Sequence, residues 1–161
     1  MKTPSIQRGS FSIERTYDAS VEDVFAAWSD AEAKAHWFVG PESWTVVKRE
    51  LDFRIGGQEQ LHGRFDSGRE TLYTARFHDI VPNARIVCVY DMRYGLRSER
   101  THLSVSIATV ELEAVKKKTR LVFGEQVAFL DGTDGAEGTA SREHGTGVHL
   151  DRLRSYLRPP S

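Results

Sequence analysis

Only one cysteine, Cys88, stands in the 161 residues, so no disulfide can close within the chain. Its neighbours, Ile-Val-Cys-Val-Tyr, are those of a buried strand residue rather than a reactive thiol. No apolar run approaches the roughly 20 residues of a membrane span. The opening Met-Lys-Thr-Pro-Ser-Ile-Gln lacks the apolar core of a secretory leader. Charge of one sign is also missing: the formal net charge of -1 gives no general pull towards nucleic acid or an anionic membrane. The lysine run Lys116-Lys117-Lys118 reads as a solvated hairpin tip. Histidines are scattered. His144 and His149 are five apart and point in different directions on a helix, so the spacing of three or four that shares a metal is absent. Gly56-Gly57 is not a phosphate loop, and no serine sits in a Gly-x-Ser-x-Gly setting. These absences lead to an expectation of a cytoplasmic protein with no metal, no cofactor, and neither nucleic acid nor membrane as partner. At this length one domain is expected.

What is present is alternation. Phe11, Ile13, Arg15 and Tyr17 alternate with Ser12, Glu14 and Thr16, a strand with an apolar face. Ser20 then caps a helix whose apolar face is Val21, Val24, Phe25 and Trp28, with Glu22 and Asp23 suiting its first turn. Ser29-Asp30 caps a second short helix, Ala31 to Trp37, which Gly40-Pro41 ends. Five further strands are expected before the last stretch: Trp44 to Ile55, with a bulge near Lys48; Gln58 to Phe65; Glu70 to Val81; Arg85 to Met92; and Leu103 to Glu113. Thr119 to Phe129 adds one more. Tyr94 to His102 has no period and reads as a loop, and so does the glycine-rich stretch from Asp131 to Thr139.

The chain closes on Ser141 to Leu157, where Leu150, Leu153 and Leu157 recur at helical spacing. Arg152, Arg154 and Arg158 are expected to face solvent, and Pro159-Pro160 to stop the helix. Gly145 and Gly147 weaken such a helix. They mark either a fraying start or a place where no side chain should project. The order is strand, two short helices, about six strands and one long helix. Hairpin spacings make this an α+β layout, an antiparallel sheet with its helices on one side. A sheet curved around a helix encloses apolar volume, which becomes a pocket unless side chains fill it.

The run Tyr17-Asp18-Ala19-Ser20-Val21-Glu22-Asp23-Val24-Phe25-Ala26-Ala27-Trp28-Ser29-Asp30 resembles the opening of the START-like, or SRPBCC, helix-grip superfamily. More narrowly it resembles the group named for the activator of Hsp90 ATPase. His36-Trp37-Phe38, Gly40-Pro41, Leu51-Asp52-Phe53-Arg54-Ile55-Gly56-Gly57, Asp79-Ile80-Val81-Pro82, Thr119-Arg120-Leu121, Glu125-Gln126 and Leu150-Asp151-Arg152-Leu153 continue the likeness in order. The resemblance implies a single helix-grip domain over residues 8–158: a bent antiparallel sheet gripping a long C-terminal helix. It further implies three readings. One is a non-catalytic host for a small hydrophobic molecule such as a lipid, a polyketide or an aromatic metabolite. Another is a co-chaperone-like interaction module in contact with Hsp90. The third is a cyclase- or hydrolase-type enzyme. Monomer and homodimer both remain open.

Glu125 shares a strand face with Leu121, Phe123, Val127 and Phe129. It either stands in the cavity to orient a ligand or serve as general acid or base, or it lies at an edge or pairs with a buried arginine. His144 is its candidate partner inside the pocket, or else a helix-capping or surface residue. The strand registers and helix position give an expected lining of Trp37, Phe38, Phe53, Tyr73, Tyr90, Phe123, Glu125, His144 and Val148. Arg54 is expected to meet Asp52, Glu50 or Asp79 in a salt bridge.

Overall fold

The alternating residues from Phe11 to Tyr17 form the inner half of the first strand, β1 (Gln7–Tyr17), whose buried Ile13 and Tyr17 point into the core. The structure, a computed structural model, describes residues 3–97 and 101–158. After β1 come α1 (Val21–Ser29) and α2 (Ala31–Trp37). Six strands follow: β2 (Trp44–Leu51), β3 (Gln58–Phe65), β4 (Arg69–Val81), β5 (Arg85–Leu96), β6 (Thr101–Val115) and β7 (Lys118–Phe129). The helix α3 (Gly135–Leu157) completes the order. The strands make one antiparallel sheet in the order β1-β7-β6-β5-β4-β3-β2. This is the helix-grip arrangement. No helix among the described residues is long and apolar enough to cross a membrane.

The short helices start where side chains replace the missing backbone acceptors. The Asp23 amide donates to Ser20 Oγ at 3.1 Å, and the Ala33 amide to Asp30 Oδ2 at 3.0 Å. Each bond satisfies one otherwise orphaned N–H. The bulge in β2 is present as a register shift between Val46 and Lys48. The lysine tip is a tight hairpin with Lys116 at φ 57.

Four expected boundaries are wrong. β2 stops at Leu51 instead of running to Ile55, because Asp52 to Gly57 fold back on themselves: the Gly57 amide donates to Arg54 O, and the Gly56 amide reaches Phe77 O on β4. β5 and β6 run further than expected, so Tyr94 to Leu96 and Thr101 to His102 are paired strand; residues 98–100 of the expected loop lie outside the described residues. Finally, α3 begins at Gly135, not Ser141. Asp134 caps it by accepting from the Glu137 amide at 3.0 Å, and a tertiary seat on β1 overrides the low helix propensity of its glycines. The helix ends at Leu157; the two prolines expected to stop it lie outside the described residues.

α3 has two halves of different character, and this shapes the interior. Leu150 and Leu153 are 1% and 0% exposed and pack with Tyr17, Val24 and Leu121, while the Tyr17 hydroxyl donates to Leu150 O at 2.9 Å. The first half carries no large apolar side chain before Val148; the groups it turns inward are Gly138, Ser141, Arg142, Gly145 and Thr146. Apart from Arg142, which reaches across to Glu125, these groups are too small to fill the space above a concave sheet, so the packed core gives way to a void. The helix runs unbroken through Gly145, so the fraying alternative does not hold. A methyl group on Gly145 would meet nothing within 4 Å. Gly145→Ala should therefore stabilise the fold by about 0.5–1 kcal/mol through helix propensity alone, readable as a higher urea midpoint at unchanged slope.

Candidate functional site

Between α3 and the sheet lies a cavity of about 820 Å³, the size of a site for a drug-sized organic molecule. Aromatic side chains from every layer line it, including Trp28, Trp37, Phe38, Phe53, Tyr73, Phe77, Phe123 and Phe129. Several touch one another. Phe38 meets Tyr73 edge-on at 5.2 Å between ring centroids, Tyr73 meets Tyr90 at 4.8 Å, and Phe53 meets Phe77 at 5.0 Å. Cys88 lines the same wall, its thiol pushed up to about 12 by burial, so it stays protonated and inert.

Two charged pairs are set into this apolar wall. Glu125, 3% exposed, comes inward because its alternating strand is buried on that face. Its Oε2 accepts from the Tyr90 hydroxyl at 2.6 Å, from Ser106 Oγ at 2.7 Å and from Arg142 Nη1 at 3.2 Å. Arg142 Nη2 also donates to Ser104 Oγ at 2.9 Å. Burial pushes the Tyr90 phenol well up, which keeps it a proton donor. Lys34 and Glu59 form the second pair at 2.7 Å, being 5% and 4% exposed. The Lys34 ammonium lies 5.3 Å from the Trp28 ring centroid and 5.0 Å from that of Phe38, where the ring faces add to its stabilisation.

His149 packs on Phe38 at 5.0 Å. Burial, followed by the charge of Arg152 and more weakly Lys34, lowers its pKa from 6.5 to about 4. Its proton is thus bound more weakly in the folded state than in the unfolded one. Stability is full above the unfolded value and is lost as pH falls from about 6.5 towards about 4. Between pH 7.5 and 4.5 the wild type should lose on the order of 2 kcal/mol more than His149→Phe in urea titrations. Equal losses would remove His149 from the acid response.

Of the residues expected to line the pocket, Trp37, Phe38, Phe53, Tyr73, Tyr90, Phe123, Glu125 and Val148 border the cavity. His144 does not: it is exposed and stands outside the lining. Glu125 therefore meets Arg142 in place of His144. Trp37 is a core residue as much as a wall, 1% exposed with its indole donating to Ala27 O at 3.0 Å. Arg54 pairs with Asp52 at 2.9 Å, as expected. Arg152 and Arg154 are not free solvent groups, since Arg152 donates to Val39 O and Arg154 to Thr16 O.

Sequence reasoning allowed Glu125 an arginine partner without naming Arg142, and it missed Lys34 and Glu59. A signal existed for each. Arg142 stands eight residues before Leu150, on the same helical stripe; Lys34 precedes buried Trp37 by three; Glu59 alternates with buried Leu61. Of the buried side-chain polar atoms without a partner among the described residues, four belong to cavity-lining residues: Glu125 Oε1, His149 Nδ1, Trp28 Nε1 and Trp44 Nε1. Among the described residues, no three His, Cys, Asp or Glu side chains gather to hold a metal.

No curated protein matches the chain. Among solved structures, an uncharacterized protein from Rhizobium leguminosarum is similar at 40% identity, over 95% of this chain and 96% of that one, with a TM-score of 0.85. A Rhizobium loti protein is similar at 38% identity, over 95% and 99%, with a TM-score of 0.83. A Chromobacterium violaceum protein shares 25% identity over 94% and 98%, with a TM-score of 0.71. The family model described as Activator of Hsp90 ATPase homolog 1-like protein matches residues 18–158. With that match spanning nearly all of the sheet and its gripped helix, the chain belongs to the Activator of Hsp90 ATPase homolog 1-like family, within the START-like superfamily.

Proposed function

We propose that the protein is a non-catalytic host for one small, mostly apolar molecule held between the sheet and α3. The observation that carries this reading is the cavity of about 820 Å³, walled by aromatic rings under a helix half that cannot fill it. Burying apolar surface at roughly 25 cal/mol per Å² makes such a wall a strong attractor for a guest of matching shape. The general acid–base pair Glu125–His144 has little geometric support, because His144 is exposed while Arg142, Tyr90 and Ser106 occupy Glu125 Oε2. Contact with Hsp90 rests on the family's description rather than on a side-chain arrangement. Co-precipitation with purified Hsp90 and an ATPase assay test it.

A thermal-shift and native mass-spectrometry screen of neutral aromatics, polyketide-like compounds and fatty acids tests the host reading. A guest at 100 times its Kd should add about 2.7 kcal/mol, raising Tm by several degrees, with a one-to-one complex in the gas phase. Val148→Trp, which adds bulk to the cavity wall, should weaken the same guest at least tenfold. A screen without any stabilising compound would overturn the proposal.

A further inference from the structure

Two of the unpartnered atoms on the cavity wall, a carboxylate oxygen and an imidazole nitrogen, belong to side chains at the two ends of one row of rings. Glu125 is buried, and its Oε1 has no partner among the described residues although Oε2 has three donors. Buried acceptors are nearly always satisfied, so an open one on a cavity wall marks a place for a donor from the guest. His149 offers the second. Its Nδ1 is a buried atom without a partner among the described residues. The imidazole is uncharged near neutral pH, and in its Nε2-protonated tautomer Nδ1 presents a lone pair to a hydroxyl. From His149 the row runs to Phe38 at 5.0 Å, to Tyr73 at 5.2 Å and to Tyr90 at 4.8 Å, and the Tyr90 hydroxyl reaches Glu125.

Charge narrows the guest further. Glu125 already faces the Arg142 guanidinium, and His149 faces Arg152 with Lys34 nearby. A cationic guest would meet a like charge at each end. An anionic guest would place its oxygens against two acceptors. Neutral donors fit both positions.

We propose that the guest is an elongated, uncharged molecule with a hydroxyl at each end, one donating to Glu125 Oε1 and the other to His149 Nδ1. Its flat apolar skeleton lies along Phe38 and Tyr73. This rests on the cavity being a host, and the test separates the two claims.

Isothermal titration at pH 7.5 compares the dihydroxy, monohydroxy and dimethoxy forms of two skeletons, biphenyl and the longer stilbene, each hydroxylated at its far para positions. For at least one skeleton the diol should bind about 10-fold tighter than the mono-ol, and the mono-ol tighter than the dimethoxy form. His149→Phe and Glu125→Gln should each reduce the diol to about the affinity of the mono-ol while leaving the dimethoxy form within threefold. Equal binding of all three forms would overturn the two-hydroxyl guest and leave the host reading standing. Failure of every compound to bind would remove both. Should Glu125→Gln not fold, the wild-type series and His149→Phe decide the matter alone.

Discussion

Lys34→Met is expected to destabilise the protein by about 3–5 kcal/mol. Lys34 and Glu59 are almost fully buried and meet at 2.7 Å. Two charges taken out of water are tolerated there because each answers the other, with the Trp28 and Phe38 rings helping the ammonium. Methionine keeps the length of the side chain and removes the charge. The Glu59 carboxylate is then left in an apolar wall without its hydrogen-bonded cation. Arg49 feels the Glu59 charge but lies further off, and its compensation is partial. Removing both charges avoids the penalty, since a buried pair replaced by apolar groups of similar volume is close to neutral. Lys34→Met with Glu59→Leu should accordingly recover to within about 1 kcal/mol of wild type in urea denaturation. A single variant that costs less than 1 kcal/mol, or a double variant less stable than the single, would show that the pair is not what holds α2 to β3.

Gly63→Val should cost about 3 kcal/mol, the sum of overpacking and exposure of an indole. The Trp44 ring lies over Gly63 on the neighbouring strand, and a Cβ at Gly63 would fall 1.6 Å from Trp44 Cε2. Gly40 holds another face of the same ring, where a Cβ would fall 1.9 Å from Cε3. The indole has no lateral escape between them except outwards. Because Trp44 is also part of the cavity wall, its displacement should red-shift tryptophan emission and weaken guest binding together. An unchanged emission maximum with normal stability would contradict the sandwich. The contrast with Gly145→Ala is instructive. Adding carbon to a glycine has opposite signs at the two sites, because one glycine touches a ring and the other faces open space.

Much of the fold could be read from the residues. Ser20 and Asp30 announce their helices because an N-cap is a local event. The alternation of Leu121, Phe123, Glu125 and Val127 gives the inward face of β7 because strand periodicity is strict. Local signals failed where tertiary contacts set the outcome. Residues 131–139 look like a loop, yet from Gly135 they are helix, because the glycines there let α3 sit directly on β1; a Cβ at Gly135 would lie 2.9 Å from Arg8 O. The early start of the helix carries Arg142 into the second turn and onto Glu125. The local pattern points to a start at Ser141 and to His144 as the partner instead. Lys34 and Glu59 are 25 residues apart and meet only once α2 lies against β3, so periodicity points each inward without naming its partner.

The central claim is that the body is hollow and takes a guest. All three tryptophans, Trp28, Trp37 and Trp44, line the cavity, so their emission reports on it directly. Titration with the neutral heavy-atom quencher 4-bromophenol should give saturable quenching with a one-site curve, reduced in Val148→Trp after correction for the added indole. Quenching that rises linearly with concentration, as it does for free N-acetyltryptophanamide, would contradict the account.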